Sequence, residues 1–72
     1  MRIGRLRYNE AQGRYGIEVQ GEWWHEGLHC GEGLEVYYEG KWIHTGIEMG
    51  ESWYLVGTVY KGNLENIPVR IE

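Results

Sequence analysis

The 72-residue chain contains no Phe and no Asp, and only one Cys and one Pro. With Cys30 alone an intramolecular disulfide is excluded, and a reducing, cytoplasmic setting is expected. The opening MRIGRLRYNE lacks the apolar run of a signal peptide, and no stretch approaches the length of a membrane-spanning helix. No membrane partner is therefore expected. Apolar residues nowhere recur at helical spacing for three turns, and good helix formers other than Glu are scarce. Missing too are the paired ligand sets of a structural zinc site: His25, His29 and Cys30 form one short cluster in a glycine-rich stretch. Gly31-Glu32-Gly33 is too short to cradle a phosphate, and its acid repels one. Neighbours on an extended strand point apart, so His29 and Cys30 do not read as base and nucleophile. Glu32 and Glu35 are a carboxylate pair, but so small a domain has little wall from which to build a deep, dry pocket. Neither an enzyme nor a metal or other cofactor is expected.

What the chain does hold is Trp and Tyr, ten in all, and twelve Gly. Six of the rings come as the adjacent pairs Trp23-Trp24, Tyr37-Tyr38 and Trp53-Tyr54. On a strand each pair places one ring inside and one outside, and a ring with a polar tip suits a packed, wet surface. The glycines punctuate short Tyr-, Trp-, Val- and Ile-rich segments in the manner of strands and turns. Residues 2–8 and 14–20 read as a hairpin across a five-residue connection, Asn9 to Gly13, with Tyr15, Ile17 and Val19 on one face. Residues 21–33 read as a long loop with a short extended piece. Residues 34–39 and 42–49 alternate cleanly around a turn at Gly40-Lys41 and form the most secure hairpin. Trp53–Val59 reads as a strand buried on both faces over part of its length. Ile67, Val69 and Ile71 alternate in a last strand that Pro68 restricts to a start or an edge. Five to six short antiparallel strands over residues 1–72 predict one all-β domain, a small SH3-like barrel.

Charge is distributed unevenly within a net of −4. Residues 1–17 set Arg2, Arg5, Arg7 and Arg14 against Glu10, a net of +3. Residues 18–51 set eight Glu against Lys41, a net of −7. An acidic middle repels phosphate and points to a partner of basic character. Strand phase puts Trp42 and Tyr37 opposite the apolar rows of their own strands. Trp23 or Trp24, and one of Trp53 and Tyr54, extend the same patch, and Glu35, Glu39 and Glu48 border it. The expected function is a protein-binding module with this aromatic floor and glutamate rim. Equally, the same rings can cap an undersized barrel core. The alternative function is nucleic-acid binding through Arg2, Arg5, Arg7 and Arg14 with stacking rings, which requires a steep salt dependence.

The run Trp24-His25-Glu26-Gly27-Leu28-His29-Cys30-Gly31-Glu32 resembles a family of small uncharacterised bacterial proteins of unknown function. Leu34-Glu35-Val36, Lys41-Trp42-Ile43, Ile47-Glu48, Trp53-Tyr54-Leu55-Val56, Leu6-Arg7-Tyr8-Asn9 and Arg14-Tyr15-Gly16 extend the likeness over nearly the whole chain. The resemblance implies a compact stand-alone domain of Gram-positive bacteria, their phages and mobile elements. A role inhibiting a host nucleic-acid-binding or defence protein accords with that setting. An Ala-Leu-Tyr-Asp-Tyr segment of the kind SH3 adaptors use for proline-rich peptides is absent from the chain.

Overall fold

Turn chemistry sets the hairpins. In the computed structural model, which describes residues 1–71, β1 (Arg2–Asn9) ends where Asn9 begins to serve the backbone beyond it. Its Oδ1 accepts from the Ala11 N–H at 3.1 Å, and its carbonyl accepts from Gln12 and Gly13 at 3.1 and 2.8 Å. Gly13, at φ +69°, turns the chain into β2 (Arg14–Val19). Asn9 itself pairs with Arg14, so the connection is Glu10–Gly13, one residue shorter than expected.

Two further turns share one form. Gln20-Gly21 (φ +53° and +85°) and Glu39-Gly40 (φ +52° and +86°) are left-handed at both central positions, the geometry that joins twisted strands through two residues. The first connects β2 to β3 (Glu22–His25), turning most of the expected loop's start into a strand. The second connects β4 (Gly33–Tyr38) to β5 (Lys41–Met49). Tyr38 pairs with Lys41, so the turn lies one residue earlier than Gly40-Lys41. The next strand, β6 (Trp53–Leu55), is short because the Leu55 carbonyl accepts from both the N–H and the hydroxyl of Thr58. Val56 and Val59 are exposed, which corrects the longer, doubly buried strand expected there. Finally, β7 (Pro68–Ile71) closes the chain, with Pro68 as its first residue.

All ladders are antiparallel, in the order β3-β2-β1-β7-β4-β5-β6. The last strand therefore lies in the middle, between β1 and β4. Leu6, Ile17, Val36, Ile47, Leu55 and Val69 come from six different strands yet join one buried cluster, so the sheet curls around its inner face. Leu28 and Leu64, from loops, plug that core at 2% and 0% exposure. The buried Tyr15 hydroxyl accepts from the Leu64 N–H at 3.0 Å and ties the second plug in place. No ladder joins β3 to β6. The all-β expectation holds, with seven strands instead of five or six, while the hydrogen-bonded sheet stays open where a closed barrel was expected. The two edges differ. Outside β6, Tyr54 bridges Lys61, Leu55 donates to Tyr60 and Gly62 donates to Trp53. Among the described residues, none covers the outer edge of β3 in this way.

Candidate binding site

Tyr37 and Trp42 stand directly opposite one another across the β4–β5 hairpin, edge to face, with ring centroids 5.3 Å apart. Arg70 of β7 lays its guanidinium over the Trp42 ring, 5.1 Å from the centroid, and donates from Nε to Glu35 Oε1 at 2.9 Å. Register explains the meeting: Ile3, Arg70, Glu35 and His44 form one row across β1, β7, β4 and β5. Strand alternation turns that row to the outer face of the sheet. The Arg70 hydrogen bond is the main reason the Glu35 carboxyl sits below its ordinary range; slight burial opposes it, and the nearby charges of Arg70 and His44 add to it. Tyr37 is 43% exposed, so the shoulder combines a fixed geometry with an open ring.

Beside this shoulder lies a cleft of about 430 Å³. β4 begins and β7 ends at the same edge of the sheet, and the cleft opens there. Leu28, Leu34, Val69 and Ile71 supply its apolar lining; Glu35, His44 and Arg70 come from β4, β5 and β7, Trp24 and His25 from β3, and Glu32 from the residue just before β4, whose carbonyl accepts from the Ile47 N–H at 3.1 Å. Two glycines permit the approach. A Cβ on Gly16 would meet the His25 carbonyl at 2.4 Å, so β3 lies tight against β2 only because that Cβ is missing. A Cβ on Gly33 would meet the His44 ring at 2.9 Å. The β2–β3 register shifts between Ile17 and Glu18, and the bulge makes Trp24 the extra residue, turned into the cleft.

The loop that follows is held by Glu32. The Gly27 N–H donates to His25 Nδ1, which assigns the proton to Nε2, and Nε2 donates to Glu32 Oε1 at 3.0 Å. Oε2 accepts from the His29 N–H at 2.6 Å and lies 3.3 Å from His29 Nδ1. Burial pushes the Glu32 carboxyl up, but the hydrogen bonds from the His29 backbone and from the two imidazoles outweigh it and hold the group below its ordinary range. Two carboxylates held below their ordinary range thus line the same apolar cleft. Cys30 is exposed, and among the described residues no three His, Cys or Glu side chains are placed to hold a metal ion.

The other sequence-derived residues disperse. Trp24 joins the cleft; Trp23 faces outward, opposite Glu18, beside a second hollow that Arg2 and Glu22 also line. Glu39 sits at the hairpin tip. Glu48 shares a strand with Trp42 but lies six residues on, roughly 20 Å away at strand spacing, beside Tyr54. Trp53 packs against the core, so Tyr54, not Trp53, is the exposed ring of that pair. Nor do the four arginines form one open basic face. Arg5 is paired with Glu18 at 2.8 Å, and Arg7 with Glu65 at 3.0 Å and Glu18 at 3.5 Å. The Arg14 stem abuts Gly27, and Arg2 lies toward the β3 edge. His25, Glu32, His44 and Arg70 were not part of the expected binding patch. The alternation of β7 showed Arg70 as outward-facing, but nothing local paired it with Trp42.

These features define a small all-β domain whose most developed surface is an aromatic shoulder running into a polar-rimmed cleft. The model of the domain of unknown function DUF5348 matches residues 4–71, and the chain belongs to that family. It is also similar to the crystal structure of a protein from Ruminococcus gnavus, a structural-genomics target. The two are 39% identical with a TM-score of 0.81 over 97% of this chain and 100% of that one. No curated protein matches.

Proposed function

We propose that the domain is a non-enzymatic protein-binding module whose contact surface is the Tyr37–Trp42 shoulder with the adjoining cleft, and whose partner presents a basic surface. The observation that carries this reading is the shoulder itself: the exposed Tyr37 ring packed edge to face on a half-buried Trp42 that Arg70, tied to Glu35, covers. Rings ordered before contact lose little freedom on binding, which is what an interface anchor requires. The acid-rich segment 18–51 supplies both cleft carboxylates and, with them, charge complementary to a basic partner. Both carboxylates are held ionised, which suits recognition of a cation better than proton donation. On the same reading the curled sheet is an SH3-like barrel with one open seam, working in the cytoplasm. An inhibitor from a phage or mobile element, acting on a host nucleic-acid-binding or defence protein, is the setting that matches the partner's charge. The pairing of Arg5 and Arg7 with Glu18 and Glu65 makes a phosphate-binding face the weaker alternative.

The test is capture of host proteins on the immobilised domain, compared with Tyr37→Ala/Trp42→Ala after its thermal unfolding shows an intact fold. Truncating an anchor of this kind costs about 2 kcal/mol or more, roughly thirtyfold in affinity, so capture should disappear. Undiminished capture by the double variant would overturn the assignment of this face.

A further inference from the structure

The geometry points to the cleft as a receptor for the arginine side chain of a basic peptide segment, seated between Trp24 and the carboxylates of Glu32 and Glu35. The inference rests on the protein-binding reading and names what the partner inserts. Its starting point is a guanidinium the fold already binds. Arg70 shows the mode: a cation over an indole face, with a glutamate taking its Nε–H. The rest of the cleft lining repeats the two ingredients, an indole at Trp24 and a glutamate at Glu32. Among the described residues no Arg or Lys pairs with Glu32, and the single cation–π contact is Arg70 over Trp42.

Three properties of the cleft select this occupant. Its volume, about 430 Å³, falls at the small end of binding pockets, which span roughly 300–1,000 Å³. It therefore suits a side chain better than a folded surface. The floor of Leu28, Leu34, Val69 and Ile71 is apolar, as a methylene stem requires when its head is charged. The rim carries two carboxylates against the single fixed cation Arg70, and Arg70 is already committed to Glu35 through Nε. Glu35 Oε2 has no protein donor among the described residues, so it can take a guanidinium N–H from the cleft side. Trp24 is 46% exposed and stands on the uncovered edge strand, where its ring can close over an entering side chain.

The probe is the capped peptide acetyl-Ala-Arg-Ala-amide, titrated into the ¹⁵N-labelled domain, beside its citrulline and glutamate counterparts. The reporters are the indole N–H groups of Trp24 and Trp42 and the amides of Leu34 and Ile71. The arginine peptide should shift Trp24, Leu34 and Ile71 along one saturating curve. Citrulline keeps the shape and removes the charge, so it should bind at least about tenfold more weakly. Trp24→Ala and Glu35→Gln should each weaken the arginine peptide several-fold while leaving the backbone spectrum in place. Citrulline binding as well as arginine, or the glutamate peptide binding better, would overturn the inference. So would shifts that follow protein concentration alone, which would make a second copy of the chain the occupant. Shifts confined to Trp42, or silence at every reporter while Tyr37 and Trp42 still govern capture, would remove the cleft's role and leave the protein-binding reading standing. Silence together with unchanged capture by the Tyr37→Ala/Trp42→Ala variant would remove both.

Discussion

The two walls of the cleft are built differently. On the β4–β5–β7 side, Tyr37, Trp42, Arg70 and Glu35 hold one another through ring contacts and a charge-assisted hydrogen bond, on strands paired along both sides or through the central ladder. On the β2–β3 side, Trp24 sits on a four-residue edge strand with a bulge, and the loop beyond it hangs from Leu28 below and Glu32 above. The first wall is ordered by side chains, the second by backbone fit and one carboxylate. A surface made this way offers a fixed anchor and an adjustable jaw, and local stability should follow the same division.

The largest break in that comparison should come from Gly16→Ala. Its Cβ would meet the carbonyl of His25, and backbone cannot swing aside, so β3 must lift. We expect a loss of about 2–3 kcal/mol, comparable with overpacking, and faster amide exchange confined to β3 and the following loop. Gly33→Ala is the control on the other wall. There the obstacle is the ring end of exposed His44, which can rotate away, so the loss should stay under about 1 kcal/mol. Equal losses in chemical denaturation would show that the walls are not mechanically different.

Acid should act next, and on the β3 side through Glu32. Glu32 has its carboxyl below the ordinary range in the folded state, so its stabilising contribution is present above the unfolded value and is lost as pH falls through the folded one. Unfolding free energy should decline on acidification from the ordinary glutamate range downward, and Glu32→Gln should flatten part of that decline. If the variant and the parent fall in parallel, Glu32 does not hold the loop. The smallest effect concerns the hairpin tip of the first wall. Glu39 occupies a left-handed position that costs a residue with a Cβ more than it costs Asn or Gly. Glu39→Asn should raise stability by about 0.5 kcal/mol without disturbing the Trp42 indole shift.

These walls also differed in how far they could be read from the chain. The β4–β5 hairpin was legible because Leu34, Val36 and Tyr38 alternate with Glu35, Tyr37 and Glu39, and a period of two needs no knowledge of the partner strand. That phase placed Tyr37 and Trp42 on one face, where they meet. β3 was not legible, because the Trp23-Trp24 bulge breaks alternation within a four-residue strand, although Gln20-Gly21 repeats the turn grammar of Glu39-Gly40. Which of Trp53 and Tyr54 faces outward was not legible, because β6 is three residues long and its phase depends on the Ile47–Leu55 pairing, which turns Trp53 inward. The expectation of a closed barrel followed from strand count, and closure is a relation between β3 and β6 that no local pattern encodes.

By itself the sequence determined that this protein is a single-cysteine, all-β domain of short antiparallel strands, with an acidic middle and an outward Tyr37–Trp42 pair. Those properties are composition and period, which act within a few residues of each site. Only the tertiary structure decided that β7 lies between β1 and β4, which carries Arg70 over Trp42 from 28 positions away, and that Trp24 and Glu32 line one cleft with Arg70 and Glu35. The reason is physical: pairing between distant strands depends on the summed burial of one core from six strands, and no short segment records that sum.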